Sequence, residues 1–121
     1  MKQVAVVGGG ASGFAAAITI ARKSNDFTVT IYERLQKPLK KILATGNGRC
    51  NLTNANATFS DYFGDAVFAA SVLEALPPDS NRAFFNDLGL LTKEEEMGRV
   101  YPASGQASAV RETLLCEAER L

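Results

Sequence analysis

Val6-Val-Gly-Gly-Gly-Ala-Ser-Gly13 is the stretch on which the reading turns. Ahead of it, residues 3–7, apolar from Val4 on, read as a short buried strand; behind it, residues 11–22 are apolar almost all round, the mark of a helix covered on most sides. Residues 27–32 are rich in β-branched and aromatic side chains and predict a second strand, with Asn25 and Asp26 turning the chain into it. Strand, helix and strand in that order make a βαβ unit. Its right-handed crossover sets the two strands parallel and side by side, with the helix on one face. The fold class that follows is α/β, a Rossmann-like domain with a central parallel sheet.

Within the turn, Gly8, Gly10 and Gly13 match GxGxxG, and Ala17 supplies a small residue further along the helix. Gly8 permits the tight turn off the strand, Gly10 lets a pyrophosphate approach the backbone, and Gly13 lets the helix pack closely on the sheet. The amides around Ala11 and Ser12, at the positive end of the helix dipole, face the phosphates. Glu33 closes the second strand at the spacing of a ribose-binding carboxylate. It can accept hydrogen bonds from both ribose hydroxyls, and it repels a 2′-phosphate, so NADP is disfavoured at this site in spite of the neighbouring Arg34. Lys2 and the apolar run from 4 to 21 resemble the start of a signal peptide, but Gly8, Gly9, Gly10 and Gly13 interrupt the run too early for that or for a membrane span.

A basic, glycine- and asparagine-rich segment, Lys37-Pro-Leu-Lys-Lys-Ile-Leu-Ala-Thr-Gly-Asn-Gly-Arg-Cys-Asn-Leu-Thr-Asn54, follows the carboxylate and reads as a functional loop around one short helical turn. An NAD site needs little beyond the βαβ unit, whereas FAD needs a further wall. Gly46-Asn47-Gly48 can offer backbone amides to it, Arg49 a fixed cation, and Thr45 and Asn51 neutral hydrogen-bonding groups. Beyond the loop, a helix is expected over 65–76 and another from about Ser80 to Gly89, its C′ residue. A short strand is expected at 98–102, and then a final helix capped by Ser104. The stripe of that last helix, Ala107, Val110, Leu114, Ala118 and Leu121, runs to the final residue with no stop signal, so the chain reads as the N-terminal part of a longer protein.

Composition narrows the chemistry. Thirteen basic residues balance thirteen acidic ones in 121, which leaves no electrostatic footprint for nucleic acid or an anionic membrane. There is no histidine, which removes a Ser-His-Asp triad, a Cys-His pair and nearly every zinc site; no metal is expected. Cys50 and Cys116 form no CxxC pair, which fits a reducing, cytoplasmic setting. Cys50, beside Arg49, is weighed as a redox thiol and preferred as packing in a cofactor wall, while Cys116 falls opposite the apolar stripe of its helix. Phe84, Phe85 and Leu88 are expected in the core, Glu94-Glu-Glu96 in a solvated turn.

Taken together, Val6-Val-Gly-Gly-Gly-Ala-Ser-Gly13, Glu33, Lys40-Lys-Ile-Leu-Ala-Thr-Gly-Asn-Gly-Arg-Cys-Asn-Leu-Thr-Asn54 and Gly98-Arg-Val-Tyr-Pro-Ala-Ser104 resemble the BaiN-like family of NAD(P)/FAD-dependent oxidoreductases, over nearly the whole chain. The resemblance implies that Glu33, Lys41, Thr45, Gly46, Arg49, Cys50 and Asn51 line an FAD site and that a substrate domain is inserted after this region. It also implies that a segment outside these residues helps hold the flavin ring, so that residues 1–121 alone bind FAD weakly or not at all. Many members carry glycine where Leu39 stands. The implied activity is hydride transfer through a flavin to or from a small organic substrate, with NAD(P)H as a candidate electron donor. Two other readings stay open: a non-catalytic nucleotide-binding module, and an NAD-only dehydrogenase domain. No side chain stands out as catalytic, and nothing fixes an oligomeric state.

Overall fold

The computed structural model describes residues 1–121. Strand β1 (Lys2–Val7), helix α1 (Ala11–Lys23) and strand β2 (Phe27–Tyr32) form the expected βαβ unit, paired parallel from Lys2 opposite Phe27 to Val7 opposite Tyr32. The turn at Asn25 and Asp26 is closed by the Lys2 N–H, which donates to the Asp26 carbonyl at 2.6 Å. The parallel sheet holds only these two strands. Nor is β1 buried as its apolar run suggests, since α1 covers one face alone and Val7 is left 88% exposed.

After β2 comes a 3-10 helical segment, Lys40–Gly48, that loses helical geometry at residues 45–47. Strand β3 (Thr53–Asn54) and helices α2 (Ala66–Ala75) and α3 (Pro78–Asp87) follow, then strands β4 (Thr92–Glu94) and β5 (Arg99–Pro102) and helix α4 (Ala107–Arg120). Asp65, expected as the first helical residue, instead caps α2, accepting from the Phe68 N–H at 3.2 Å. Pro78 opens α3 two residues ahead of the expected start, because a proline at the first helical position gives up an N–H that has no partner there. Gly89 then stops the helix at φ 88, the left-handed C′ geometry.

Strands β3, β5 and β4 form a second, antiparallel sheet in that order, of which only β5 was anticipated. Helix α4 starts later than a Ser104 cap requires. Gly105 turns at φ 69 and donates to the Pro102 carbonyl at 2.8 Å, so the N-cap passes to Gln106, and the Ser104 hydroxyl serves the turn by accepting from the Gln106 N–H at 3.3 Å.

The core lies where α1, α4 and the 40–48 segment meet. Phe14 and Ile18 of α1 pack with Leu39, Ile42 and Cys50, and with Ala107, Val110 and Leu114 of α4. Phe84 and Phe85, edge to face with centroids 5.3 Å apart, press on this cluster from α3 together with Leu88. Each fully buried aliphatic or phenyl group contributes about 1.5–3 kcal/mol. No helix is long and apolar enough to cross a membrane.

A polar tie joins the same two helices. Glu117 is 8% exposed and accepts from Arg22 of α1 at 2.6 Å and from Arg120 at 2.7 Å. Hydrogen bonds from Arg120 and then Arg22 lower its pKa from 4.5 to about 2. A depressed carboxylate pKa stabilises the fold fully above the unfolded value, and the contribution drains away as pH falls from about 4.5 towards 2. Glu117→Gln should therefore cost about 1–2 kcal/mol at pH 7, both arginines keeping some solvent contact. The gap to wild type should narrow between pH 4.5 and 3 and close only as pH nears 2. Denaturant unfolding at pH 7, 4.5 and 3 measures it, and a gap that stays constant with pH contradicts the assignment.

Candidate dinucleotide site

The glycine turn joins β1 to α1 by close backbone contacts. Gly8 takes φ 108 and donates to the Tyr32 carbonyl at 2.8 Å, while the Gly10 carbonyl accepts the Phe14 N–H at 3.0 Å, the first turn of the helix. A Cβ on Gly13 would stand 2.0 Å from the Gly8 carbonyl oxygen and 3.4 Å from Val6, so only glycine lets the helix start this close to the strand. A Cβ on Gly10 would meet nothing within 4 Å. Packing therefore requires Gly13, whereas Gly10 leaves room above the backbone.

Glu33 reaches this turn directly. One carboxylate oxygen accepts from the Gly9 N–H and the other from the Leu35 N–H, both at 2.7 Å. These two backbone bonds, Leu35 first, hold its pKa below the usual carboxylate value, so it is ionised at neutral pH. Gly9, a free position in the GxGxxG pattern, proves to be a packing glycine: a Cβ there would lie 2.9 Å from the Glu33 Cβ. Its importance comes from a residue 24 positions away, which no local pattern shows.

Between the turn and the 40–48 segment lies a cleft of about 590 Å³. Gly8, Gly10, Ala11, Ser12, Glu33, Arg34, Lys41 and Thr45 of the sequence-derived set all line it. So do Lys37 and Lys40, which lie outside that set; with Arg34 and Lys41 they put four cations against the one carboxylate of Glu33. Such a cleft attracts a polyanion. The far wall is fastened by Leu39, whose N–H donates to the Gly9 carbonyl at 2.8 Å. Leu39 is 2% exposed and takes φ 59, a left-handed geometry that costs a non-glycine residue about 1–2 kcal/mol. Its burial offsets that cost and keeps a leucine where glycine would be at ease.

Gly13, Gly46, Arg49, Cys50 and Asn51 do not line the cleft. Gly46 turns at φ 54, where a Cβ would come 2.5 Å from the Asn51 amide nitrogen, and its carbonyl accepts from the Arg49 N–H at 3.1 Å. Cys50, at φ 57, is buried in the core and donates its N–H to the Thr45 carbonyl at 3.0 Å. The Asn51 side-chain amide, oriented to suit its neighbours, donates to the carbonyls of Thr53 at 2.8 Å and Val100 at 3.2 Å. Arg49 lies 4.1 Å over the Tyr101 ring and forms an ion pair with Glu95. That pair raises the Arg49 pKa and lowers that of Glu95, which also meets Lys93 at 3.4 Å. Glu95 is thus not part of a purely solvated turn. This block ties the cleft's far wall to the antiparallel sheet.

The family described as HI0933-like protein Rossmann domain matches residues 2–121. The chain belongs to this family. Among curated relatives of this Rossmann domain, a 3-dehydro-bile acid delta(4,6)-reductase of Clostridium scindens is 47% identical over 121 aligned positions that cover 99% of this chain and 29% of the relative. A ribosomal RNA dihydrouridine synthase of Haemophilus influenzae is 28% identical over 116 residues, 95% of this chain and 28% of the relative. The chain thus spans less than a third of the length of either relative.

The glycines of this HI0933-like turn divide by task. Gly13→Ala should destabilise the domain by about 1–3 kcal/mol through overpacking against the Gly8 carbonyl, and Gly10→Ala by less than half of that. Thermal unfolding of the two variants checks this, and equal losses would refute the division.

Proposed function

We propose that this chain is the dinucleotide-holding part of an FAD-dependent oxidoreductase. The observation that carries the proposal is the open, cationic cleft over a glycine turn whose Gly10 has free space above it. An FAD pyrophosphate suits that cradle, with the amides near Ala11 and Ser12 and the cations Arg34, Lys37, Lys40 and Lys41 balancing its charge. Glu33 spends one lone pair on each of its two backbone partners; a carboxylate accepts about four hydrogen bonds, which leaves two for ribose hydroxyls. Its ionised state also opposes a 2′-phosphate, so NAD(P)H would meet the flavin elsewhere as electron donor. Thr45 and Lys41 extend the binding wall towards the flavin half. Bound FAD supplies the hydride chemistry that these side chains lack.

Both relatives carry redox names with different substrates, a bile acid derivative and ribosomal RNA, while matching nearly the same residues. That pattern favours a cofactor role for the shared residues and substrate selection by others, in an inserted domain. The higher identity to the reductase and the equal numbers of basic and acidic residues favour a small organic substrate over RNA. Two free cysteines, Cys50 and Cys116, agree with a reducing, cytoplasmic setting.

The full-length protein should purify with flavin absorbance and release FAD on denaturation; a colourless preparation that takes up no FAD overturns the proposal. Bleaching by NADH or NADPH tests the electron donor. Glu33→Ala should weaken FAD binding by about 1.5–3 kcal/mol. Gly10→Ala, whose methyl group would enter the pyrophosphate cradle, should weaken it at least tenfold, or about 1.4 kcal/mol. Unchanged affinity in both variants would move the cofactor away from this turn.

A further inference from the structure

One peptide group is held at both ends beside the cleft. The Pro38 carbonyl and the Leu39 N–H belong to the same planar trans unit, so they point in opposite directions. The N–H donates to the Gly9 carbonyl at 2.8 Å. The carbonyl accepts from Nε of Arg111 on α4, 73 residues along the chain, at 3.3 Å. Rotation of this unit breaks both bonds at once and releases Leu39 from its φ of 59. Strain therefore favours the rotation, and the two hydrogen bonds with the burial of Leu39 oppose it. The Arg111 side chain is only 20% exposed, and its one further polar contact is Glu112 at 3.3 Å.

We infer that Arg111 is a positioning residue for the cleft: by holding the Pro38 carbonyl it keeps the Leu39 N–H on Gly9 and folds the lysine-bearing wall, Lys40 and Lys41, over the glycine turn. Arg111 itself does not line the cleft. Its effect on cofactor binding rests on the proposed FAD reading, whereas its effect on the peptide does not.

The test is Arg111→Met in the full-length protein, which keeps an unbranched apolar side chain of similar reach on α4, with Glu112→Gln as a control that spares the Pro38 contact. Amide hydrogen exchange at Leu39 should speed up about tenfold in the methionine variant, the equivalent of one lost hydrogen bond, and FAD should bind about tenfold more weakly. The control should move neither. Leu39 exchange at the wild-type rate in Arg111→Met overturns the inference, as does faster exchange with FAD affinity unchanged. Should the wild-type protein take up no FAD while Leu39 still responds, the cofactor reading fails and the hold on the peptide stands.

Discussion

The backbone of Gly9 is gripped from both sides, and the site is organised around that grip. Its N–H goes to the Glu33 carboxylate and its carbonyl to the Leu39 N–H, which brings the end of β2 and the basic segment onto one residue of the first turn. The Glu33 contact leaves no room for a side chain on Gly9, where a Cβ would fall 2.9 Å from the Glu33 Cβ. The Glu33 carboxylate is thus a structural brace in its own right. A group whose oxygens are already oriented by backbone donors needs little reorganisation to accept a hydroxyl, the condition under which a hydrogen bond contributes most to binding.

Charge follows the same geometry. The chain as a whole is neutral, yet the cleft gathers Arg34, Lys37, Lys40 and Lys41 around a single carboxylate. Overall composition speaks only to a broad basic surface, and it says nothing of local excess. The other basic residue of the loop, Arg49, is drawn off by Glu95 and Tyr101, so the cations of the loop divide between ligand wall and scaffold according to whether an acid stands opposite.

What could be read from the amino acids alone has a common character: it depends on near neighbours. The βαβ unit, the packing role of Gly13 and the Gly89 stop are all written within a few residues of where they act. What escaped depends on distant partners or short pairing. The strands β3 and β4 have two and three residues, too few for an alternating pattern to register. Glu95 looked solvated because its partner, Arg49, lies 46 positions earlier. Gly9 hid in a variable position of the motif because Glu33, its contact, lies across the sheet. Ser104 looked like a cap because a serine before an apolar stripe usually is one, and the intervening turn at Gly105 took that role away.

The same distinction explains why α4 matters to a cleft it does not enter. Leu39 and Ile42 reach into the core that Ala107, Val110 and Leu114 complete, and Arg111 extends from the same helix to the wall's backbone. The first turn forms one side of the cleft from local sequence, but the opposite wall is held in place only once residues 107–114 have packed against it. A left-handed leucine is stable there because the last helix buries it. The motif at Gly8 to Gly13 therefore specifies one wall of the site, and the tertiary fold, through α4, specifies the other.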